Sequence, residues 1–282
     1  MKRLLVAGAL AFLTACTGQS NNAAWLSALP KPWEMPPDQL AEYLPQFEQR
    51  YPDFEQRLRA LVIWRVGTPY DAFKLGEEQE PDPDPLFRLD VSDCTSHILT
   101  SLSLAQSRDW AEARRNMIAI HYKPAADGRK EPTYKSRWHY TTDRIMDNPS
   151  TLDITATLVP ADQLATAEVV LNRKADGGEF LNLGWERPVR ARYIPSRFVD
   201  EALLARLPAV CGVAFVKKEW FDLGLVVGHE GMIIDRRELI HAGQDVGATA
   251  REDFLDYLFR EEGPLFAGIM VFRFLPLQTP AL

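Results

Sequence analysis

The feature that most limits how this chain can fold is a change in the period of its apolar residues at about Leu152. Upstream, apolar side chains recur at helical spacing. Phe54, Leu58, Leu61 and Val62 fall at i, i+4, i+7 and i+8, and the run ends at Gly67, as helices commonly do. Leu40, Tyr43, Leu44 and Phe47 follow Asp38 with similar spacing; Pro45 lies inside that run, where a kink or early stop is expected. Further helices are expected from Cys94 to about residue 106, capped by Ser92 or Asp93, and from 108 to 120. Downstream the alternation shortens toward strands, expected over 154–159, 169–172, 189–194, 211–217, 225–229, 231–234, 239–242 and 268–274. Helices are expected to interrupt them over 161–167, 196–207 and 251–259. Helices first and strands later is an α+β arrangement, here N-terminal helices packed on a mostly antiparallel sheet.

The 282 residues are 46% hydrophobic, so a core can form without disulfide help. Lys and Arg number 32 against 39 Asp and Glu, a formal net charge of -7. An acidic chain without a basic block is a poor nucleic-acid binder, because phosphate neutralisation dominates that affinity. No H-E-x-x-H zinc motif, G-x-S-x-G elbow, phosphate loop or dinucleotide fingerprint is present, so neither a metal nor a cofactor is expected. Carboxylate pairs for glycoside cleavage stay open at this point, since so many acids form pairs by chance.

The N-terminus carries its own pattern. Lys2 and Arg3 precede an apolar run, Leu4 to Leu13, too short for the roughly 20 residues of a membrane-spanning helix. It reads as a signal peptide over 1–15. Leu13-Thr14-Ala15-Cys16 resembles the lipobox of bacterial lipoproteins. That resemblance implies cleavage before Cys16 and lipidation of its thiol, giving the protein a membrane anchor. Thr17 stands where an aspartate commonly signals inner-membrane retention, so an outer-membrane, periplasm-facing location is implied. Residues 16–37, polar and proline-rich, read as a lipidated flexible tether, and 38–282 as one domain.

Of the remaining cysteines, Cys94 sits in the first turn of an expected helix, where exposed N–H groups and the macrodipole favour a thiolate. Asp93 would oppose this if it faced the sulfur. A thiol nucleophile needs a base, and the base an orienting group. His97 lies on the same helix and would project along its side. His229 and His241 fall on neighbouring strands joined by a turn over 235–238, an arrangement that would bring them together. Cys211 is expected in a buried strand, more than about 7 Å from Cys94 between Cα atoms and so out of disulfide reach.

Gly67-Thr68-Pro69-Tyr70, Asp93-Cys94-Thr95, His229-Glu230-Gly231-Met232 and Ile240-His241-Ala242 occur in an order that resembles the NlpC-type papain-like cell-wall hydrolases. The similarity is greatest to the N-acetylmuramoyl-L-alanine amidase-like subgroup, echoed by Leu75-Gly76-Glu77 and Arg137-Trp138-His139-Tyr140, and runs from about 55 to 274. The resemblance implies Cys94 as nucleophile, His229 as general base and His241 as the group orienting it. Tyr70 and Asp93 are implied at the oxyanion or substrate, and Arg137 and His139 on the substrate side. The chain has Arg-Trp-His where the subgroup usually has Arg-Asn-His. The implied substrate is peptidoglycan, cut at the muramoyl–L-alanine amide. Alternatives are the γ-D-glutamyl–diamino acid bond of the stem peptide, transfer of the acyl group to an amine, or cell-wall binding without cleavage.

Overall fold

Burial sorts the first half of the chain into helices of one layer, seen in a computed structural model that describes residues 21–278. The signal peptide expected over 1–15 and the lipidation site Cys16 lie outside the described residues. Helix α1 covers residues 21–28, and α2 (Leu40–Arg50), α3 (Phe54–Trp64), α4 (Cys94–Leu104), α5 (Trp110–His121) and α6 (Thr141–Asp147) follow. The segment expected as a featureless tether therefore carries a helix from residue 21. Trp25 packs edge-on against Phe47 with ring centroids 4.9 Å apart, and the Arg50 guanidinium lies over its other side. Trp25, Leu26 and Leu29 form an apolar patch too brief to register as a period among polar neighbours. Helix α2 runs on through Pro45 without the expected stop; buried Leu44 and Phe47 on either side hold it to the core.

The second half builds strands β1 (Thr151–Asp153), β2 (Ala165–Leu171), β3 (Arg187–Pro195), β4 (Val210–Val216), β5 (Val227–Ile234), β6 (Glu238–Gly243) and β7 (Ala248–Asp253). A two-residue pair, β8 (Phe259–Arg260) and β9 (Gly263–Pro264), precedes β10 (Gly268–Phe274). The main sheet runs β2-β3-β10-β4-β5-β6-β7, with β1 also on β10, and its strand pairs are antiparallel. Period-two alternation gives it two apolar faces. Ala214, Met232, Ile240 and Met270 share a core with the helical layer. Cys211, Val213, Phe215, Ile233 and Leu239 face the other way, toward the short helices α7 (Thr155–Leu158), α8 (Glu201–Leu204) and α9 (Phe254–Leu258). The α+β expectation is met, with N-terminal helices on a sheet that is antiparallel throughout its named strands.

Several expected boundaries move. The strand expected over 154–159 becomes one helical turn, because the Thr155 hydroxyl takes the Val271 N–H at 2.9 Å and ends the ladder there. The helix expected over 161–167 gives way to β2 from Ala165. The two strands expected over 225–234 are one, β5, with a register shift opposite Phe215 and Val216. The helix expected over 251–259 starts only at Phe254, where the Asp253 carboxylate caps the N–H groups of Leu255 and Asp256; the residues before it extend β7.

One buried ion pair ties these layers together. Glu230 on β5 is fully buried and pairs with Arg144 on α6, also buried. Its other oxygen accepts from the hydroxyls of Thr95 on α4 at 2.6 Å and Thr141 on α6 at 3.0 Å. An isolated buried carboxylate is costly, and removing one partner of a buried pair typically costs about 3–5 kcal/mol. Arg144→Met should therefore lower the urea-unfolding free energy by about that amount. Adding Glu230→Gln should restore part of the loss, since the stranded charge is then gone; an Arg144→Met variant with wild-type stability would show that the pair is not structural.

Candidate active site

Local sequence builds the N-terminus of α4 with unusual completeness. Asp93 accepts the Ser96 N–H at 2.7 Å, and the Ser96 hydroxyl in turn accepts the Asp93 N–H at 2.7 Å, a reciprocal capping box. The second Asp93 oxygen accepts the Phe73 N–H at 2.9 Å. Cys94 is the first residue of the helix and is half-buried. Asp93, expected at the oxyanion or substrate, thus has both oxygens engaged by backbone donors.

Tyr70 reaches the same place through backbone pairing. Gly67 and Thr68 bond Thr249 in both directions at 2.8 Å, Tyr70 donates to Gly247 O at 2.9 Å, and Ser92 donates to Pro69 O at 2.9 Å. The stretch 67–70 therefore lies between β7 and the residue that leads into Asp93-Cys94. Burial raises the pKa of the Tyr70 hydroxyl, and its neighbours Cys94, Asp93 and Asp71 raise it further.

The histidine pair comes from the β5–β6 hairpin. Asp235 and Arg236 both take left-handed backbone conformations, the type I′ geometry that suits the twist of paired strands, and Ile233 pairs with Leu239. By alternation His229, Gly231 and His241 share one face. His229 Nε2 lies 2.9 Å from His241 Nδ1. Gly231 makes room for this: a Cβ there would sit 2.9 Å from His241 Cβ and 2.8 Å from Leu239 Cδ1. His241 Nε2 is 3.2 Å from Glu252 Oε1 on β7. Phe215 stacks on the His229 ring at 5.7 Å between centroids, and Tyr257 packs on both histidine rings, at 4.6 Å from His241 and 6.0 Å from His229.

Electrostatics keep this cluster neutral at rest. Burial pushes the Cys94 thiol up to about 12, helped by the negative charges of Asp93 and Glu230; the Glu230 backbone N–H and the Thr95 hydroxyl pull the other way. Burial, then the neighbouring His241, lowers His229 to about 3. His241 is also lowered by burial, against the opposing pull of Glu252. Burial raises Tyr257, and the charges of Asp245, Glu252 and Cys94 raise it further.

Arg137 and His139 are engaged elsewhere. Arg137 binds Glu77 at 2.6 Å and Asp82 at 2.8 Å, clasping the 77–82 loop with help from the Tyr122 hydroxyl on Glu77. His139 Nε2 meets Tyr134 O at 2.6 Å. Their hydrogen bonds involve none of Cys94, His229 or His241. His97, on α4, is fully buried, and His241 is among the groups that lower it. Cys211 is buried on the opposite core from the helical layer, and both described cysteines are free. Sequence reading missed Glu252 and Tyr257, because both fell in an expected helix. Strand alternation through 248–253 is the signal that would have put Glu252 beside His241. Phe73, 87% exposed with a left-handed backbone, also stands beside Asp93 unforeseen. Among the described residues no group of three or more His, Cys, Asp or Glu is arranged to hold a metal ion, and no described helix is long and apolar enough to cross a membrane.

The sequence model of the AmiA-like family, described as N-acetylmuramoyl-L-alanine amidase-like, matches residues 64–263. No curated protein sequence matches the chain. Among solved structures, a Legionella pneumophila protein of the DUF1460 family is similar at 18% identity and TM-score 0.67, covering 84% of this chain and 95% of that one. An N-acetylmuramoyl-L-alanine amidase from Bacteroides uniformis is similar at 20% identity and TM-score 0.55, covering 78% and 98%. A Bacteroides fragilis protein provisionally called a xylanase is similar at 22% identity and TM-score 0.58, covering 76% and 99%. At such identities these likenesses establish the fold alone.

All five histidines have lowered pKa values, with burial the first cause in each: His97 and His121 well below 6.5, His139 to about 4, His229 to about 3, and His241. The unfolded chain binds protons on these rings near 6.5 while the folded chain does not. Stability contributed by keeping them neutral is therefore whole above about pH 6.5 and is lost as pH falls toward the folded values, at most about 1.4 kcal/mol per pH unit for each fully buried ring. The urea midpoint should hold steady above pH 7 and decline progressively from pH 6.5 to 4.5. A midpoint unchanged down to pH 5 would contradict the neutral burial of these rings.

Proposed function

From the membership of this chain in the AmiA-like, N-acetylmuramoyl-L-alanine amidase-like family, we propose that it is a peptidoglycan hydrolase that cuts an amide through an acyl-enzyme on Cys94. The scissile bond we assign is the muramoyl–L-alanine amide. His229 is the general base, His241 orients it, and the Cys94 backbone N–H and the Tyr70 hydroxyl serve the oxyanion. The observation that carries the reading is the hydrogen-bonded pair His229–His241 on the strand whose next residue, Glu230, is bonded to the turn of α4 that bears Cys94.

The chemistry follows from protonation at rest. A thiol pushed up to about 12 and an imidazole lowered to about 3 are both neutral at rest, so proton transfer accompanies attack rather than preceding it. As sulfur bonds the carbonyl carbon, His229 takes the thiol proton. Collapse of the tetrahedral intermediate breaks the C–N bond, and the imidazolium returns that proton to the leaving amine. Water, deprotonated by the same ring, then cleaves the thioester and regenerates the thiol. Donors aimed at the developing oxyanion are typically worth about 3–4 kcal/mol each. The protein's N-terminal pattern, Leu13-Thr14-Ala15-Cys16, suits a lipid anchor at Cys16 that would hold this activity at the outer membrane, facing the periplasm and the wall.

Digestion of purified sacculi, followed by mass spectrometry of the soluble products, tests the assignment. Peptides beginning with free L-alanine are expected. Release should fall by roughly 10⁴-fold or more in Cys94→Ala, the scale seen when a nucleophile is deleted. Sugars retaining a dipeptide would move the scissile bond to the γ-D-glutamyl–diamino acid link. Unimpaired release by Cys94→Ala would remove Cys94 as nucleophile, and binding to sacculi without any release would mark a wall-binding protein.

A further inference from the structure

The carboxylate of Glu252 stands at the outer end of the histidine pair, and hydrogen-bond bookkeeping along that row has only one solution when His241 is neutral. Resting on the reading of Cys94 as nucleophile and His229 as its base, we infer that Glu252 is the positioning residue that sets both ring tautomers. It accepts the Nε2–H of His241, which leaves His241 Nδ1 to accept the Nε2–H of His229, and leaves His229 Nδ1 with a bare lone pair for the thiol proton.

An ionised carboxylate can only accept, and a neutral imidazole has one donor and one acceptor nitrogen. Glu252 Oε1 lies 3.2 Å from His241 Nε2, so that nitrogen carries the proton. His241 Nδ1 is then an acceptor, and its partner at 2.9 Å, His229 Nε2, must donate. Reversing the row would put the proton on His229 Nδ1 and leave it no lone pair for a thiol.

Strand geometry places Glu252 for this task. It pairs with Leu239, and so stands diagonally from His241 on the same face, within reach of a long side chain. Among the described residues its side-chain hydrogen bond is to His241. The groups bearing on His241 come from every element around it: His229 from β5, Tyr257 from α9, Asp245 from the β6–β7 turn and Arg260 from β8, and His97 from α4. Asp245 acts on the rings through its charge; of the two carboxylates, Glu252 makes the hydrogen bond. Burial keeps His241 below its ordinary value despite both acids, consistent with a neutral ring in the row.

Long-range proton–nitrogen spectra of the histidine rings in the ¹⁵N-labelled full chain at pH 7.5 read the tautomers directly. Wild type should show Nε2–H and unprotonated Nδ1 for both His229 and His241. Glu252→Gln presents a donor as well as an acceptor, so the row should lose its single solution. Its rings should show mixed tautomers, with kcat on soluble muropeptide reduced about 10- to 100-fold, the size seen for outer hydrogen-bond partners, and KM unchanged. A proton on Nδ1 of either ring in wild type would overturn the inference, as would a Glu252→Gln variant with wild-type ring spectra and kcat. The wild-type spectra need no variant and no turnover. Active Cys94→Ala with the expected ring spectra would sink the nucleophile assignment alone, whereas inactive Cys94→Ala with Nδ1–H rings would sink the tautomer assignment alone.

Discussion

The buried carboxylate of Glu230 is the constraint on which the rest of the architecture turns. A charge with no access to water must be met by a cation and by donors to its remaining lone pairs, and here they come from two helices. Arg144 reaches it from α6, while the hydroxyls of Thr95 and Thr141 close the other oxygen from α4 and α6. Because Glu230 sits between His229 and Gly231 on β5, satisfying it fixes the N-terminal turn of α4 against the strand that carries His229. The requirement is electrostatic, but its result is positional: Cys94 and the histidine hairpin are held in one frame.

The same charge has a chemical consequence. Glu230 and Asp93 both raise the thiol, adding to burial. A helix N-terminus usually favours thiolate, yet here burial holds the thiol up and two carboxylates add to it, one of them the cap that defines the helix start. The site thus stores no ion pair in the resting state. Hydrogen bonds link His229, His241 and Glu252 in a row, and the close approach of the two strands depends on Gly231 having no side chain.

Much of this was legible in the sequence where a local rule coincided with a tertiary one. The α3 and α4 starts, the β10 strand and the β5–β6 turn followed from period, caps and turn spacing. The facing of His229 and His241 followed from strand pairing. What stayed hidden needed information from across the fold. The apolar patch around Trp25 has meaning only against Phe47, and Thr155 ends a strand because Val271 lies opposite. The residues of β7 looked helical because Phe254, Leu255 and Leu258 follow at helical spacing; the Asp253 cap that separates the two states can be read as either boundary. That misreading concealed Glu252, and with it the outer end of the row. Nor did the sequence disclose the partners of Arg137 and His139, which are Glu77, Asp82 and Tyr134.

The central claim, that Cys94 rests as a neutral thiol and depends on His229 for its reactivity, is tested most directly by the rate of Cys94 alkylation by iodoacetamide across pH 4 to 10 in wild type and His229→Ala. The account predicts a slow wild-type rate that climbs with pH, with no plateau between pH 4 and 8, and a further drop in His229→Ala near neutrality. A fast plateau through that range would reveal a standing thiolate–imidazolium pair, and a rate indifferent to His229→Ala would sever the thiol from its base; either result would contradict the account.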